Sequence, residues 1–323
     1  MTTSFSTARR PDGSPPLSAS ARPSPRLRHH GGGPVAKRQR VGAALVAPSF
    51  LFVIVFVLFP LAYAVYISLT NWPLVGSYHF VGLQNYTSLG SNAVFVHAVW
   101  FTLLYTAIVT PAIFVLGYAM AMFVRKNRPG STLIRTIFFL PYIVGLATES
   151  YMVVLDVQPR FGIVNVILSR LGLASIDTAW LIHTDLALAV TCVLVTWYAS
   201  GLTMLLLVGG MQGVSTDVYE AASMDGATWW QRESRITLPL LRPTIALSLI
   251  ISVIGSFLAF NQFYILTQGG PGTSTDTIVM WIYQVAFVQL HLGAATAMAI
   301  VLVIAVGLVS MVQFIMLRDP TKA

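Results

Sequence analysis

"YEAASMDGATWWQRESRITLPLLRPT", Tyr219 to Thr244, is the most polar and most charged piece of a chain that is otherwise largely hydrocarbon. It holds acids, an Asp-Gly pair and two prolines, and it stands between two long apolar runs. The spacing predicts two short helices joined by a turn. Asp217 caps the first, with Glu220 three residues on, as in a capping box. Asp225-Gly226 stops it, because glycine takes the left-handed conformation that a C-cap needs. Thr228 caps the second helix and Gln231 completes another box. Pro239 ends that helix, and Pro243 starts the next apolar run, where a missing N–H does no harm. Ala221, Ala222 and Ala227 keep the surface close to the backbone, so another element can approach. Residues 217–239 thus form an ordered knob built for docking; the plainer alternative is a well-capped connector.

The rest of the chain says what the knob is attached to. Of 323 residues, 56% are hydrophobic and 9% charged, against about 25% charged in an ordinary soluble domain. A soluble chain of this length needs a wetter surface, so the composition indicates a protein that crosses a membrane several times. A single cysteine, Cys192, excludes a disulfide framework and a cysteine-based metal site. Residues 1–40 are rich in Pro, Ser, Gly and Arg without apolar period, and read as a disordered tail. A cleavable signal peptide is the rival reading. The apolar run that follows, 41–69, is far longer than a signal core of roughly 7–15 residues, which favours a retained first span.

Six runs have about the 20 residues that a bilayer crossing takes: Val41–Leu69, Phe95–Val124, Thr132–Leu155, Thr184–Gly210, Thr244–Leu266 and Leu290–Leu317. The last five lie within a domain at 93–317. Thr277–Leu290 is apolar but too short to span, and reads as interfacial. Phe161–Leu173 reads as an amphipathic helix at the surface. Of the 19 Lys and Arg, 17 fall on alternate segments, among them both termini and the opening stretch. This asymmetry places both termini and the 217–239 knob in the cytoplasm. It also accounts for the net charge of +8 without nucleic acid. A knob on that side fits a cytoplasmic partner.

Motifs for chemistry are lacking. There is no Gly-rich phosphate loop ending in Lys-Ser or Lys-Thr, no GxSxG, and no metal spacing among the six histidines. An ion-coupled secondary transporter is the alternative function, but it needs intramembrane ionisable groups and usually internal repeats. Glu149 is nearly the only such group.

Glu220-Ala221-Ala222, Asp225-Gly226-Ala227, Ile236, Leu238-Pro239 and Pro243 resemble the EAA motif of permease subunits of binding-protein-dependent ABC importers. "FVGLQNY" (Phe80–Tyr86), "RTIFFLPY" (Arg135–Tyr142) and "FYILTQGGP" (Phe263–Pro271) resemble the carbohydrate-uptake branch, the relatives of the maltose and glycerol-phosphate permeases. The likeness runs from Val41 to Arg318. One departure is Glu233, where the family usually has an aromatic. The resemblance implies an all-α integral membrane protein of the type I ABC importer permease fold, with six transmembrane helices and no cofactor. It implies that the 217–239 loop is the coupling helix, seated in a groove of an ATP-binding subunit. It further implies a second permease subunit, an extracytoplasmic solute-binding protein, and residence in a bacterial cytoplasmic membrane.

For a sugar-like solute, aromatic faces suit apolar C–H patches and polar groups suit hydroxyls. Glu149 lies inside the third run, where a charged carboxylate costs about 2.5–3.5 kcal/mol at mid-membrane. It therefore faces a wet cavity or a partner, or else sits near the outer end in contact with water. Tyr151 beside it, with Asn261, Gln262 and Tyr264 on the fifth run, completes a candidate solute path. For Asn261 and Gln262 the alternative is hydrogen bonding between helices. The sequence does not name the solute.

Overall fold

The computed structural model describes residues 42, 45–73, 76–125 and 130–317. The expected tail at 1–40 lies outside them. The described residues up to Leu58 form one unit and those from Phe59 onward another. Among the described residues there are helices and two isolated bridges, Thr70 to Phe80 and Pro73 to His291, but no strand.

The helices follow in order: α1 (Leu45–Ser68), α2 (Ala93–Val124), α3 (Ser131–Val144), α4 (Leu146–Asp156), α5 (Ile163–Arg170) and α6 (Thr184–Gln212). Then come α7 (Thr216–Met224), α8 (Trp229–Arg232), α9 (Arg242–Phe257), α10 (Asn261–Leu266), α11 (Ile278–Tyr283) and α12 (Leu292–Leu317). Among the described residues, five segments are long and apolar enough to cross a membrane as unbroken spans: α1, α2, α6, the run Arg242–Leu266 and α12.

The sixth expected span is not straight. α3 and α4 meet at 91°, at Gly145, whose φ is +92°. Pro141 lies one turn earlier, and the Gly145 amide reaches its carbonyl only at 3.4 Å. A proline lacks the N–H of a regular turn and a glycine accepts positive φ, so the pair makes a sharp break affordable.

α2 is the spine. Its 32 residues make a rod about 48 Å long at about 1.5 Å per residue. Phe95 and Ala98 belong to one buried cluster with α9, α11 and α12. Phe101, Tyr105, Val109 and Ile113 belong to a second, with Cys192, Val195, Phe263 and Met280. Met120, Ala121 and Val124 belong to a third, with Met204, Leu207 and Met211 of α6. Gly117 lets α2 and α6 touch: a Cβ there would stand 2.7 Å from the Thr203 methyl carbon.

Two expectations concern short segments. Thr277–Leu290, expected at the interface, packs into the bundle along its first part and exposes Phe287, Val288 and Leu290 at its end. Ile278, Met280, Trp281, Val285 and Ala286 are buried, and α11 packs on α2 and α12. A short helix that is apolar all round belongs inside a bundle. α5 turns Asn165 inward and leaves Arg170 exposed. Asn165 is fully buried, donating to the carbonyls of Gln158 and Thr178 at 3.0 Å and accepting from the Trp180 indole. Ile163 and Ile167 are exposed on the other side.

Candidate functional site: the loop between two spans, and a cavity in the bundle

The loop is two helices, as expected, but its first cap differs. Ser215, not Asp217, is the N-cap, its hydroxyl accepting from the Asp217 amide. The preceding helix runs to Gln212, so only two residues separate its end from Ser215, which takes up the extended conformation of a cap (ψ 139°). Asp217 then lies in the first turn, where an acid suits the helix dipole. At the far end the Ala227 amide reaches back to the Ala222 carbonyl at 3.0 Å around Gly226, whose φ is +74°. This is a Schellman closure, and it stops the helix where the Asp-Gly pair predicts. Thr228 and Gln231 form the expected capping box. Pro239 does not end the second helix. A π-turn (Glu233–Thr237) and Leu238–Leu240 carry it on to α9, and the proline fits because it opens a new turn.

The crest of the loop is exposed. Glu220, Ala221, Asp225 and Gly226 are on the surface, Ala222 and Ala227 half-buried. Met224 is 90% exposed and Trp230 69%, with Trp229 beside it at 51%. A wet surface has no reason to carry three large apolar side chains around one turn, so the crest has the composition of a docking face.

Beneath the crest the loop is tied down. Glu233 is 3% exposed. Its carboxylate accepts from the Arg125 guanidinium at 2.6 Å and from the Tyr118 hydroxyl at 2.8 Å. Arg125 closes the end of α2 and also lies over the ring of Tyr219, 6.0 Å from its centre. Arg232 donates to the Ser223 hydroxyl at 2.7 Å, linking the two loop helices. The sequence marks Glu233 as unusual but not its partner, which lies 108 residues away.

The path candidates divide. Gln262 is buried and donates to the Tyr105 hydroxyl at 3.2 Å. Asn261 and Tyr151 are exposed. Tyr264 is half-exposed, stacked on Phe260 at 5.1 Å and edge-on to Tyr283. Glu149 sits in the first turn of α4, just past the bend, with one carboxylate oxygen enclosed and lacking a hydrogen-bond partner among the described residues.

Gln262 also lines a cavity of about 250 Å³, with Tyr142, Tyr198, Ser248, Ser252 and Ser256. Sequence reasoning overlooked the three serines, although their spacing of four along α9 was a legible signal. Each hydroxyl donates one turn back along its own helix, Ser252 to the Ser248 carbonyl at 2.9 Å and Ser256 to the Ser252 carbonyl at 2.8 Å. That satisfies the donor inside a membrane and leaves oxygen lone pairs facing the cavity.

Known proteins with the same pattern say what kind of molecule this is. The chain is 32% identical over 260 residues to a sulfoquinovosyl glycerol transport system permease protein of Agrobacterium fabrum, covering 80% of this chain and 84% of that one. It is 31% identical over 270 residues to a multiple sugar-binding transport system permease protein of Streptococcus mutans, covering 83% and 92%. Its fold matches a chain of a bacterial alginate ABC transporter in complex with alginate pentasaccharide-bound periplasmic protein, with a TM-score of 0.77 at 23% identity over 87% of this chain and 95% of that one. The architecture is therefore the type I importer permease fold. Residues 113–318, which contain the crest, the tie and the cavity, match the family described as "Binding-protein-dependent transport system inner membrane component", and this chain belongs to that family of membrane permeases.

Proposed function

We propose that this permease passes a sugar or a related polyol or oligosaccharide, and that its 217–239 loop is the seat of a separate ATPase subunit on the cytoplasmic side. The observation that carries the reading is the crest. It exposes Met224, Trp229 and Trp230 around the Gly226 turn, on a loop held rigid from beneath. The charge asymmetry supports cytoplasmic termini. The sugar-permease names of the relatives support the solute class. A second permease subunit shares the membrane with this one, and a solute-binding protein delivers from outside.

The test is capture of the ATPase from detergent-solubilised complex, scored beside uptake. Gly226→Val puts a branched side chain at positive φ, at about 1–2 kcal/mol, and projects it from the crest. Capture and uptake fall together, and Glu220→Ala does the same more mildly. Full capture and uptake in Gly226→Val would make the loop a connector only.

For the solute path, the reading joins Glu149, Tyr151, Asn261, Gln262 and Tyr264 to the serine-lined cavity. Polar oxygens and the Tyr142 and Tyr198 rings, 5.0 Å apart, are the groups a sugar needs. Glu149→Gln and Asn261→Ala then impair uptake with assembly intact. Wild-type uptake in both would remove them from the path.

A further inference from the structure

We propose that Glu233 is a positioning residue that makes α2 move with the loop, through its ion pair with Arg125. This rests on the reading of the loop as the ATPase seat.

The loop has two covalent exits, one into α6 and one into α9. Neither leads to α2, yet α2 is the helix that runs through all three buried clusters. The network around Arg125 connects them directly. Its guanidinium holds Glu233 of the second loop helix at 2.6 Å and covers the ring of Tyr219 from the first. The Tyr219 hydroxyl in turn meets the Thr237 hydroxyl at 3.1 Å. One residue at the end of α2 therefore grips both loop helices.

Glu233 is held on its other oxygen by Tyr118, two turns up the same helix. Two contacts on one face fix direction as well as distance, so a displaced loop pulls α2 along rather than pivoting about a single point. The carboxylate is almost wholly enclosed, where charge-assisted bonds are strong and separation leaves two uncompensated charges. Downstream, α2 meets α6 across Gly117, and it presents Tyr105 to Gln262 at the cavity wall. Movement of the loop thus reaches the cavity through packed contacts.

The experiment uses the complete transporter, with its partner permease, ATPase and binding protein, in proteoliposomes. It reads solute taken up per ATP hydrolysed beside the amount of ATPase retained. Glu233→Gln keeps the volume and removes the charge. We expect retained ATPase and a ratio lower by about tenfold, within the usual range for coupling between sites. Exchanging the pair, Glu233→Arg with Arg125→Glu, recovers most of the ratio. Tyr118→Phe removes one hydroxyl and loses about two- to threefold. A wild-type ratio in Glu233→Gln overturns the proposal, as does an exchange that recovers nothing. Should Glu233→Gln fail to assemble, a Tyr118→Phe complex with wild-type ratio overturns it equally. Failure of the docking reading is separate. It shows as undiminished ATPase capture in Gly226→Val, whatever the ratio in the Glu233 variants.

Discussion

α2 and α12 look alike as strings of letters and live in different surroundings. Both are long, apolar and without charge. In the most apolar stretch of α2, 39% of residues are buried within the chain; in that of α12, 6% are. In water such a difference would be written as a polar face. In a membrane the outside is as apolar as the inside, so the face disappears from the pattern. What remains is finer. The buried side of α2 carries Thr102, Thr106, Thr110 and Gly117, small or hydroxylated residues that let helices meet. The exposed side of α12 carries Val303, Leu308, Met311 and Phe314, which suit lipid tails or a second subunit.

That contrast can be attacked from several sides. The largest effect is expected at Phe263, fully buried and edge-on to Phe101 and Tyr105 of α2 at 5.2 and 5.1 Å. Phe263→Ala costs about 3–5 kcal/mol, read as lost thermal stability in detergent. A near-neutral result would mean that α2 is not the spine.

The next effect concerns the end of α2 marked by His97. Its ring bonds the Ser274 carbonyl at 3.1 Å, in the same loop as Asp276. Asp276 is fully buried by area, and burial pushes its carboxyl up to about 6, while the Gln284 amide and the charge of His97 pull it down. The native pKa lies above the unfolded one. The contribution to stability is therefore fully present below about 4 and is lost as pH rises through about 6. Amide protection at Gly270 and Thr275 should be greater at pH 5 than at pH 7.5, and Asp276→Asn should flatten the difference. Equal protection in the parent at both pH values would break the assignment.

The smallest effect is expected at Leu308, 59% exposed. Leu308→Ala costs under about 0.5 kcal/mol if that face meets lipid. A cost of about 2 kcal/mol or more in the assembled complex, absent in the isolated chain, would place a subunit against α12.

What the sequence made legible follows the same divide between near and far. The Thr228–Gln231 box and the Gly226 stop depend on residues a few positions apart, and both are found where they were expected. Ser215 was overlooked because Ser215, Thr216 and Asp217 are all good caps, and the choice among them depends on where α6 lets the chain go. The existence of the spans is written in apolar length alone. The bend at Gly145 is not, since membrane helices accept glycine and proline without breaking. The Glu233–Arg125 pair and the cavity are assembled from distant parts of the chain. The serine ladder was visible in sequence, but only the fold shows which way it faces.

The right angle between α3 and α4 has a mechanical meaning. A straight span acts as a push-rod and delivers displacement along its own axis. A rod bent to 91° acts as a bell-crank and turns axial travel into sideways travel. α3 is fastened at its input end, where Arg135 donates to the Val124 carbonyl at 2.8 Å. α4 bears on α10, which carries Gln262 to the cavity. A stroke of a few ångströms along α3, about one turn of helix or less, would therefore be turned aside at Gly145 toward α10 and Gln262.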